Sequence, residues 1–229
     1  MTLNAVQPRR EGGNKIVTGL AILSFPVLAT PEYVLGSKDA TYGASFIFPP
    51  AGYKLTLLNG EVVEFDGATA SILEEVLYEV FAAQWPGPAN LAKLKASFTT
   101  PNPMFKWGIR KDAELKGYPT GSVYINARRK EKQGRPGLVL AHADATGKPA
   151  VPAEDQITQF FYPGAIVRAA IGAFAYDMDV SKGVSFGLQN VQHLASGPRM
   201  DGRRAATDEF NAVMDASTPA DLSDVGVTS

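Results

Sequence analysis

The sequence has no cysteine among its 229 residues and only two histidines. Without cysteine the chain cannot form disulfides, thiolate nucleophiles or thiolate metal sites, and this composition fits a reducing compartment. Neither His142 nor His193 has a second metal donor at ligand spacing, so we interpret both as structural or surface residues and predict no metal or cofactor. A phosphate-cradling G-x-x-x-x-G-K-S/T loop and a G-x-S-x-G nucleophile turn are also missing. These absences favour a protein that is not an enzyme.

Long apolar runs are missing as well. A membrane-spanning helix needs about 18 apolar residues, whereas the best candidate, residues 16–28, is shorter and is broken by Gly19 and Pro26. Residues 1–13 are polar and lack the apolar centre of a signal peptide. The sequence therefore predicts a cytoplasmic protein without a membrane partner.

The 45% hydrophobic and 20% charged composition is sufficient for a globular core. Segments rich in β-branched residues and bounded by turn residues predict strands at residues 15–25, 42–48, 121–130, 165–177 and 184–194. Apolar residues at helical spacing predict one helix that starts at a capping box of Ser71 and Glu74 and stops before Pro86. Residues 86–116 are expected to form a long loop. Five strands and one helix match a five-stranded OB-fold barrel, although the strand count also allows a sandwich.

The predicted domain organisation follows from these segments. Residues 1–14 are expected to be a flexible arm, and residues 15–210 one mainly β OB-fold domain with a helical insertion at residues 52–103. Residues 211–229, rich in Asp, Ser, Thr, Ala and Gly, are expected to be a disordered acidic C-terminal tail.

Charge is unevenly distributed, although the formal net charge is only −1. Residues 106–135 contain nine basic and three acidic residues, a local balance of +6, whereas residues 208–229 contain five acidic residues and no lysine or arginine. This asymmetry is typical of a body that binds a polyanion and a tail that competes for the same surface.

Basic and aromatic residues alternate in this middle segment, and grooves that hold single-stranded nucleic acid combine the same two residue types. In the strand at 121–130, Tyr124 shares a face with Arg128 and Lys130, opposite apolar residues, so we expect Tyr124 to be an exposed stacking platform. The predicted nucleic-acid-binding residues are Lys106, Trp107, Arg110, Lys111, Tyr118, Tyr124, Arg128, Arg129, Lys130, Lys132, Arg168 and Tyr176. The competing interpretation places Trp107 in the core and leaves the arginines on a solvated face.

Three stretches resemble a family of phage single-stranded DNA-binding proteins related in fold to podophage replication proteins. They are KGYPTGSVYINAR at residues 116–128, YPGAIVR at 162–168 continuing to Tyr176, and GVSFGLQNVQ at 183–192, followed by Arg203 and Phe210. The resemblance implies an OB fold, sequence-tolerant binding of single-stranded DNA and a role in phage DNA replication or recombination. It supplies no catalytic residue. The chain departs from the family in its sparse acidic end, which closes on Ser229 rather than on an aromatic residue.

Two other functions stay open on the sequence alone. Asp177 and Asp179 could hold the metal of a nuclease that acts on single-stranded DNA, although the same residues fit an ordinary strand connection. A virion structural β-protein is the second alternative. Replication or recombination proteins are the expected protein partners, and the sequence leaves open whether the chain forms a homodimer.

Overall fold

The computed structural model describes residue 3 and residues 6–33, 38–99, 103–111, 117–178 and 181–202. These residues form a mainly β structure. The strands are β1 Arg9–Gly12, β2 Lys15–Val17, β3 Ala21–Tyr33, β4 Ala40–Phe48, β5 Lys54–Thr56, β6 Val62–Glu64, β7 Phe105–Lys106, β8 Ile109–Lys111, β9 Val123–Lys130, β10 Gly137–Val139, β11 Ile166–Met178 and β12 Ser181–Ala195. The helices are α1 Ala68–Gln84, α2 Pro88–Ser97 and α3 Ile157–Phe160. Across the described residues, no helix is both long and apolar enough to span a bilayer.

Five long strands carry the architecture. β11 pairs antiparallel with β3, β3 with β4, and β4 with β9, while β9 pairs in parallel with β12 and β12 returns antiparallel to β11. Shorter strands extend this arrangement. β2 pairs with β11, β10 and β7 pair with β12, and β8 pairs with β9.

The main core lies on the inner face of these strands. Successive strand residues point to opposite faces, and the inward positions hold buried apolar residues such as Phe46, Ile125 and Phe186. Helix α1 packs against β11 and β12, and its stripe at helical spacing, which includes Leu73 and Phe81, is buried in the same core. We call the opposite side of these strands the outer face.

A second, smaller core covers one end of the outer face. The β5–β6 hairpin supplies Leu55 and Val63, which pack in one cluster with Tyr118, Tyr124 and Ile47. The first half of β9 is therefore buried on both faces: Tyr124 is 6% exposed although it points away from the main core. Only the second half of β9 presents its outer side chains to solvent.

The predicted strands at 42–48, 121–130, 165–177 and 184–194 are confirmed within a few residues as β4, β9, β11 and β12. The strand predicted at 15–25 is instead divided into β2 and β3. At the division Gly19 lies so close to α1 that its N–H donates a hydrogen bond to Thr69 Oγ1 at 3.0 Å, and a Cβ there would lie 2.9 Å from the same oxygen. Arg9–Gly12, within the predicted flexible arm, forms β1.

The helix predictions need two corrections. The predicted helix exists as α1, but it begins at Ala68 after Gly67 rather than at a Ser71 capping box, and Asp66 Oδ1 accepts a hydrogen bond from the Ala68 N–H. Residues 86–116, predicted as a loop, contain α2, β7 and β8. The predicted insertion at 52–103 likewise contains the β5–β6 hairpin besides its helices. The predicted tail at 211–229 lies outside the described residues.

Candidate nucleic-acid interface

Arg128 lies at the centre of the exposed part of the outer face. Cross-strand register places it between Gly43 on β4 and Gly187 on β12, and Gly187 is in turn opposite Gly172 on β11. Its guanidinium is exposed and forms no ion pair or hydrogen bond with any residue that the structure describes. The neighbouring glycines project no side chain over it, so an incoming anion can reach it from solvent.

Two aromatic side chains flank Arg128 on the β11 side. Phe174 is 44% exposed, and Tyr176 follows it on the same face of the strand. Tyr176 is opposite Gly183, which is opposite Lys106, so the Lys106 side chain joins the same face. Burial raises the pKa of the Tyr176 phenol, and a hydrogen bond with Ser181 and the positive charge of Arg110 oppose this rise. Rings and cations thus share one surface.

Two further aromatic side chains lie on the β3 side. Phe25 and Tyr33 are 71% and 73% exposed, and together with Arg128 they line a cavity of about 240 Å³. Phe25 sits in a β-bulge between Ser24 and Val27 and has a φ of 44°. A left-handed conformation costs a non-glycine residue roughly 1–2 kcal/mol, and the following proline disfavours helical backbone there as well. An exposed aromatic ring held in such a conformation makes Phe25 a candidate for a functional role.

Two of the predicted basic residues on this face, Lys130 and Arg168, interact with other side chains of the chain. Lys130 Nζ lies 2.8 Å from Asp39 Oδ2, and its hydrogen bond lowers the pKa of that carboxyl, with Lys132 contributing through its charge. Arg168 is half-buried and donates a hydrogen bond from Nε to Gln192 Oε1 at 2.7 Å. Burial lowers the pKa of the Arg168 guanidinium, and the nearby Arg9 lowers it further.

The prediction that Tyr124 is an exposed platform is wrong. Its ring packs edge to face on Tyr118, which is also buried, under the β5–β6 hairpin. Burial raises the pKa of the Tyr118 phenol, and hydrogen bonds with Ser24 and Ser45 oppose that rise. Both tyrosines are therefore placed in a core rather than on the exposed outer face.

Three other predicted residues lie away from the exposed outer face. Arg129 points to the opposite side of β9 and donates hydrogen bonds to the carbonyls of Gln133 and Gly134. Trp107 is half-buried between Tyr78 and Phe98. Lys111, on the inner side of β8 by register, has its Nζ 3.8 Å from Glu74 Oε1.

The sequence-based prediction did not include the exposed aromatic residues Phe25, Tyr33 and Phe174. The alternation of strand residues indicates Phe174, because it puts Phe174 on the same face as Arg168 and Tyr176. Phe25 had only the unusual placement of an aromatic residue before Pro26 inside a strand.

The structure describes one of the two carboxylates considered for a nuclease metal site. Asp177 forms an ion pair with Lys182, while Asp179 lies outside the described residues. Within the part of the chain that the structure describes, no group of three histidine or acidic residues is arranged to hold a metal.

Comparison with known proteins places the chain among phage proteins. A family model described as Enterobacter phage Enc34, ssDNA-binding protein, matches residues 14–222. The solved structure of the single-stranded DNA-binding protein from bacteriophage Enc34 in complex with ssDNA is similar with a TM-score of 0.57 at 16% identity, over 86% of this chain and 98% of that chain. A second structure of the single-stranded DNA-binding protein from bacteriophage Enc34 gives a TM-score of 0.55 at 16% identity, over 88% of this chain and 96% of that chain. Bacteriophage T7 gp2.5, a single-stranded DNA-binding protein, gives 0.48 at 13% identity, over 89% and 98%. No curated protein sequence matches.

Proposed function

The chain belongs to the family of the Enterobacter phage Enc34 ssDNA-binding protein, and we propose that it binds single-stranded DNA across its outer face. The observation that carries this proposal is the exposed Arg128, which has no ion pair among the described residues and lies between two pairs of aromatic side chains, Phe25 with Tyr33 and Phe174 with Tyr176. We place the cations on the phosphate backbone and the rings against the bases.

This division of labour follows from the chemistry of the two partners. Every base has a π-face, so stacking on an aromatic ring contributes roughly 1–3 kcal/mol per base with little regard to sequence. Phosphate contacts by Lys106, Arg110 and Arg128 release counterions and carry no base information. We therefore propose that the protein coats and protects single strands with broad sequence tolerance.

The proposed fold is an OB-type barrel. Supporting it, the pairings run from β11 through β3, β4, β9 and β12 back to β11, and nucleic acid binds an outer strand face in OB folds. We propose residues 15–210 as the domain, preceded by the arm at 1–14 and followed by the acidic tail at 211–229. The β1 strand ties part of that arm to β2.

In this proposal the protein has no catalytic activity and acts in phage DNA replication or recombination, in the cytoplasm of the host cell. The family supports a binding role. The nuclease alternative needs a metal site, and the one described carboxylate of its predicted pair, Asp177, is held by Lys182.

Fluorescence anisotropy with a labelled dT oligonucleotide in EDTA tests the proposal. Arg128 and Arg129 form a matched pair, because they are adjacent arginines on opposite faces of β9. We expect Arg128→Ala to weaken binding about tenfold, which is about 1.4 kcal/mol, with no change in melting temperature. Arg129→Ala, which removes only the hydrogen bonds to the turn carbonyls, should keep wild-type affinity while it lowers stability.

The same assay separates the alternatives. Cleavage of the oligonucleotide after addition of Mg²⁺ would support the nuclease. A wild-type protein that neither binds nor cleaves single strands would refute the proposal and favour a structural role.

A further inference from the structure

The cavity beside Phe25 has the size and chemistry of a pocket for one base. Its volume is about 240 Å³, below the range of about 300–1,000 Å³ typical for whole drug-sized ligands. Phe25 and Tyr33 form apolar walls, and Asn126 and Glu32 add polar groups. Proteins that recognise single strands commonly hold an unstacked base against an aromatic ring and hydrogen-bond its edge.

Glu32 is an unexpected residue on a surface that binds phosphates. It is exposed, and its carboxylate has no ion pair or hydrogen bond with the residues that the structure describes. In the strand register Glu32 is opposite Thr41, and Thr41 is opposite Lys130. The Lys130 Nζ, however, lies 2.8 Å from Asp39 Oδ2. The Glu32 carboxylate repels a phosphate but accepts hydrogen bonds. We therefore expect it to bind a group that donates hydrogen bonds.

The edges of the bases differ in what they offer a carboxylate. Guanine presents two adjacent donors, N1–H and the 2-amino group, to the two carboxylate oxygens. Cytosine and adenine present one amino group beside an acceptor nitrogen, and thymine presents a single N–H between two carbonyls. Only guanine can donate a hydrogen bond to each oxygen of Glu32 without placing an acceptor atom against one of them. Paired hydrogen bonds of this kind are the selective ones in base recognition.

Asn126 completes the match with guanine. Ser45 Oγ donates a hydrogen bond to Asn126 Oδ1 at 2.6 Å, and this contact orients the side-chain amide. The Asn126 amide nitrogen donates to no other residue in the described part of the chain. It is therefore available to donate to guanine O6, the acceptor next to N1–H.

We propose that this cavity holds one guanine, with Glu32 as the specificity-determining residue, so that a guanine preference at one subsite is added to sequence-tolerant binding elsewhere. This inference rests on the proposed binding of single-stranded DNA to the outer face. It assigns stacking to Phe25, the N1–H and 2-amino contacts to Glu32, and the O6 contact to Asn126.

The test is a competition experiment with the full chain and a labelled dT oligonucleotide. Competitors of equal length carry dG, dI, dA or dC at every third position of a dT background, so that no run of guanines can form a quadruplex. We expect the dG competitor to bind about fivefold to tenfold more tightly than dT alone, the lower end of what paired base contacts give. The dI competitor, whose base lacks the 2-amino group, should lose most of that advantage.

Glu32→Gln is the informative variant, because it keeps the shape and removes the second acceptor. It should bind dG and dT competitors within about twofold of each other, and its dT affinity should stay equal or rise because a negative charge is removed. Glu61→Gln, which changes the net charge equally outside this cavity, should keep the guanine preference.

The outcomes distinguish this inference from the proposed function. If wild-type protein binds dT but shows no guanine preference, or if Glu32→Gln retains the preference, the base pocket is refuted and the DNA-binding proposal stands. If wild-type protein binds no single strand at all, both are refuted.

Discussion

The rings of Tyr118 and Tyr124 pack edge to face, with centroids 5.4 Å apart and planes at 88°. Both side chains are buried in the second core, with exposed fractions of 9% and 6%. We expect Tyr124→Ala to lower the free energy of unfolding by about 3 kcal/mol, since truncating a buried aromatic residue leaves a cavity. Urea denaturation measures this change.

The affinity of Tyr124→Ala for single-stranded DNA should remain within about twofold of wild type at a temperature where the variant is folded, since the ring lies under the β5–β6 hairpin. Tyr124→Phe is the control, because it keeps the ring and so the edge-to-face contact. If the variant has wild-type stability and strongly reduced affinity, the result would instead support the sequence-based prediction that Tyr124 is an exposed stacking platform.

Burial of Tyr124 shows where prediction from the sequence ends. Its face of β9 was assigned correctly by the alternation of residues, because Tyr124 does share a face with Arg128. The residues that cover it, such as Val63, are about 60 positions away in the sequence, and no local pattern reports that contact. The long strands β4, β9, β11 and β12 were predictable, whereas strands of two or three residues, such as β7 and β10, are too short to show a period.

The proposed binding surface was also predictable in part. Clustering of basic residues pointed to Lys106, Arg110 and Arg128, all on the exposed outer face. Phe25 was not predictable, because its exposure depends on a bulge and a positive φ that only the folded strand defines.

Phe25 and Phe174 give a second prediction. Phe25→Ala and Phe174→Ala should each weaken binding of a dT oligonucleotide by about 1–3 kcal/mol, because each removes one stacking ring. Unfolding free energies should change by less than about 0.5 kcal/mol for Phe25, whose side chain is mostly exposed. Anisotropy titrations and urea denaturation report the two quantities.

Phe98→Ala is the matched control for these variants. Phe98 is 49% exposed, close to the value for Phe174, but follows α2 and contacts Trp107. It should retain wild-type affinity. Equal losses of affinity for Phe98 and Phe174 would mean that exposed aromatic residues act without regard to the outer face.

His193 gives a prediction on pH. It is buried against the rings of Phe160 and Phe161, and burial lowers its pKa to about 4, with a smaller contribution from the charge of His142. The unfolded chain, with an ordinary histidine pKa near 6.5, binds the proton more readily than the folded chain. Stability from this group is therefore complete above about pH 6.5 and falls by up to about 3 kcal/mol as the pH drops to about 4.

His193→Leu should flatten this pH dependence of the unfolding free energy, measured by urea denaturation between pH 7 and pH 4. The cost at neutral pH should be modest, because His193 Nε2 has no hydrogen-bond partner among the described residues. His142→Gln, at an exposed position, should leave most of the pH dependence intact. If the unfolding free energy of His193→Leu depends on pH as steeply as that of the wild type, other groups cause the acid sensitivity.

The salt dependence of binding tests the role of Arg128 most directly. Each phosphate contact on a single strand contributes about −0.7 to the slope of log affinity against log salt concentration, so about four contacts predict a slope near −3. Arg128→Ala should reduce the steepness by about 0.7, because one contact is lost. Lys54→Ala, which removes a cation paired with Glu64 on the β5–β6 hairpin, should leave the slope unchanged. A wild-type affinity that is insensitive to salt would contradict phosphate binding by the outer face. If the wild-type slope is steep and Arg128→Ala does not alter it, other cations contact the phosphates and Arg128 does not have the proposed role.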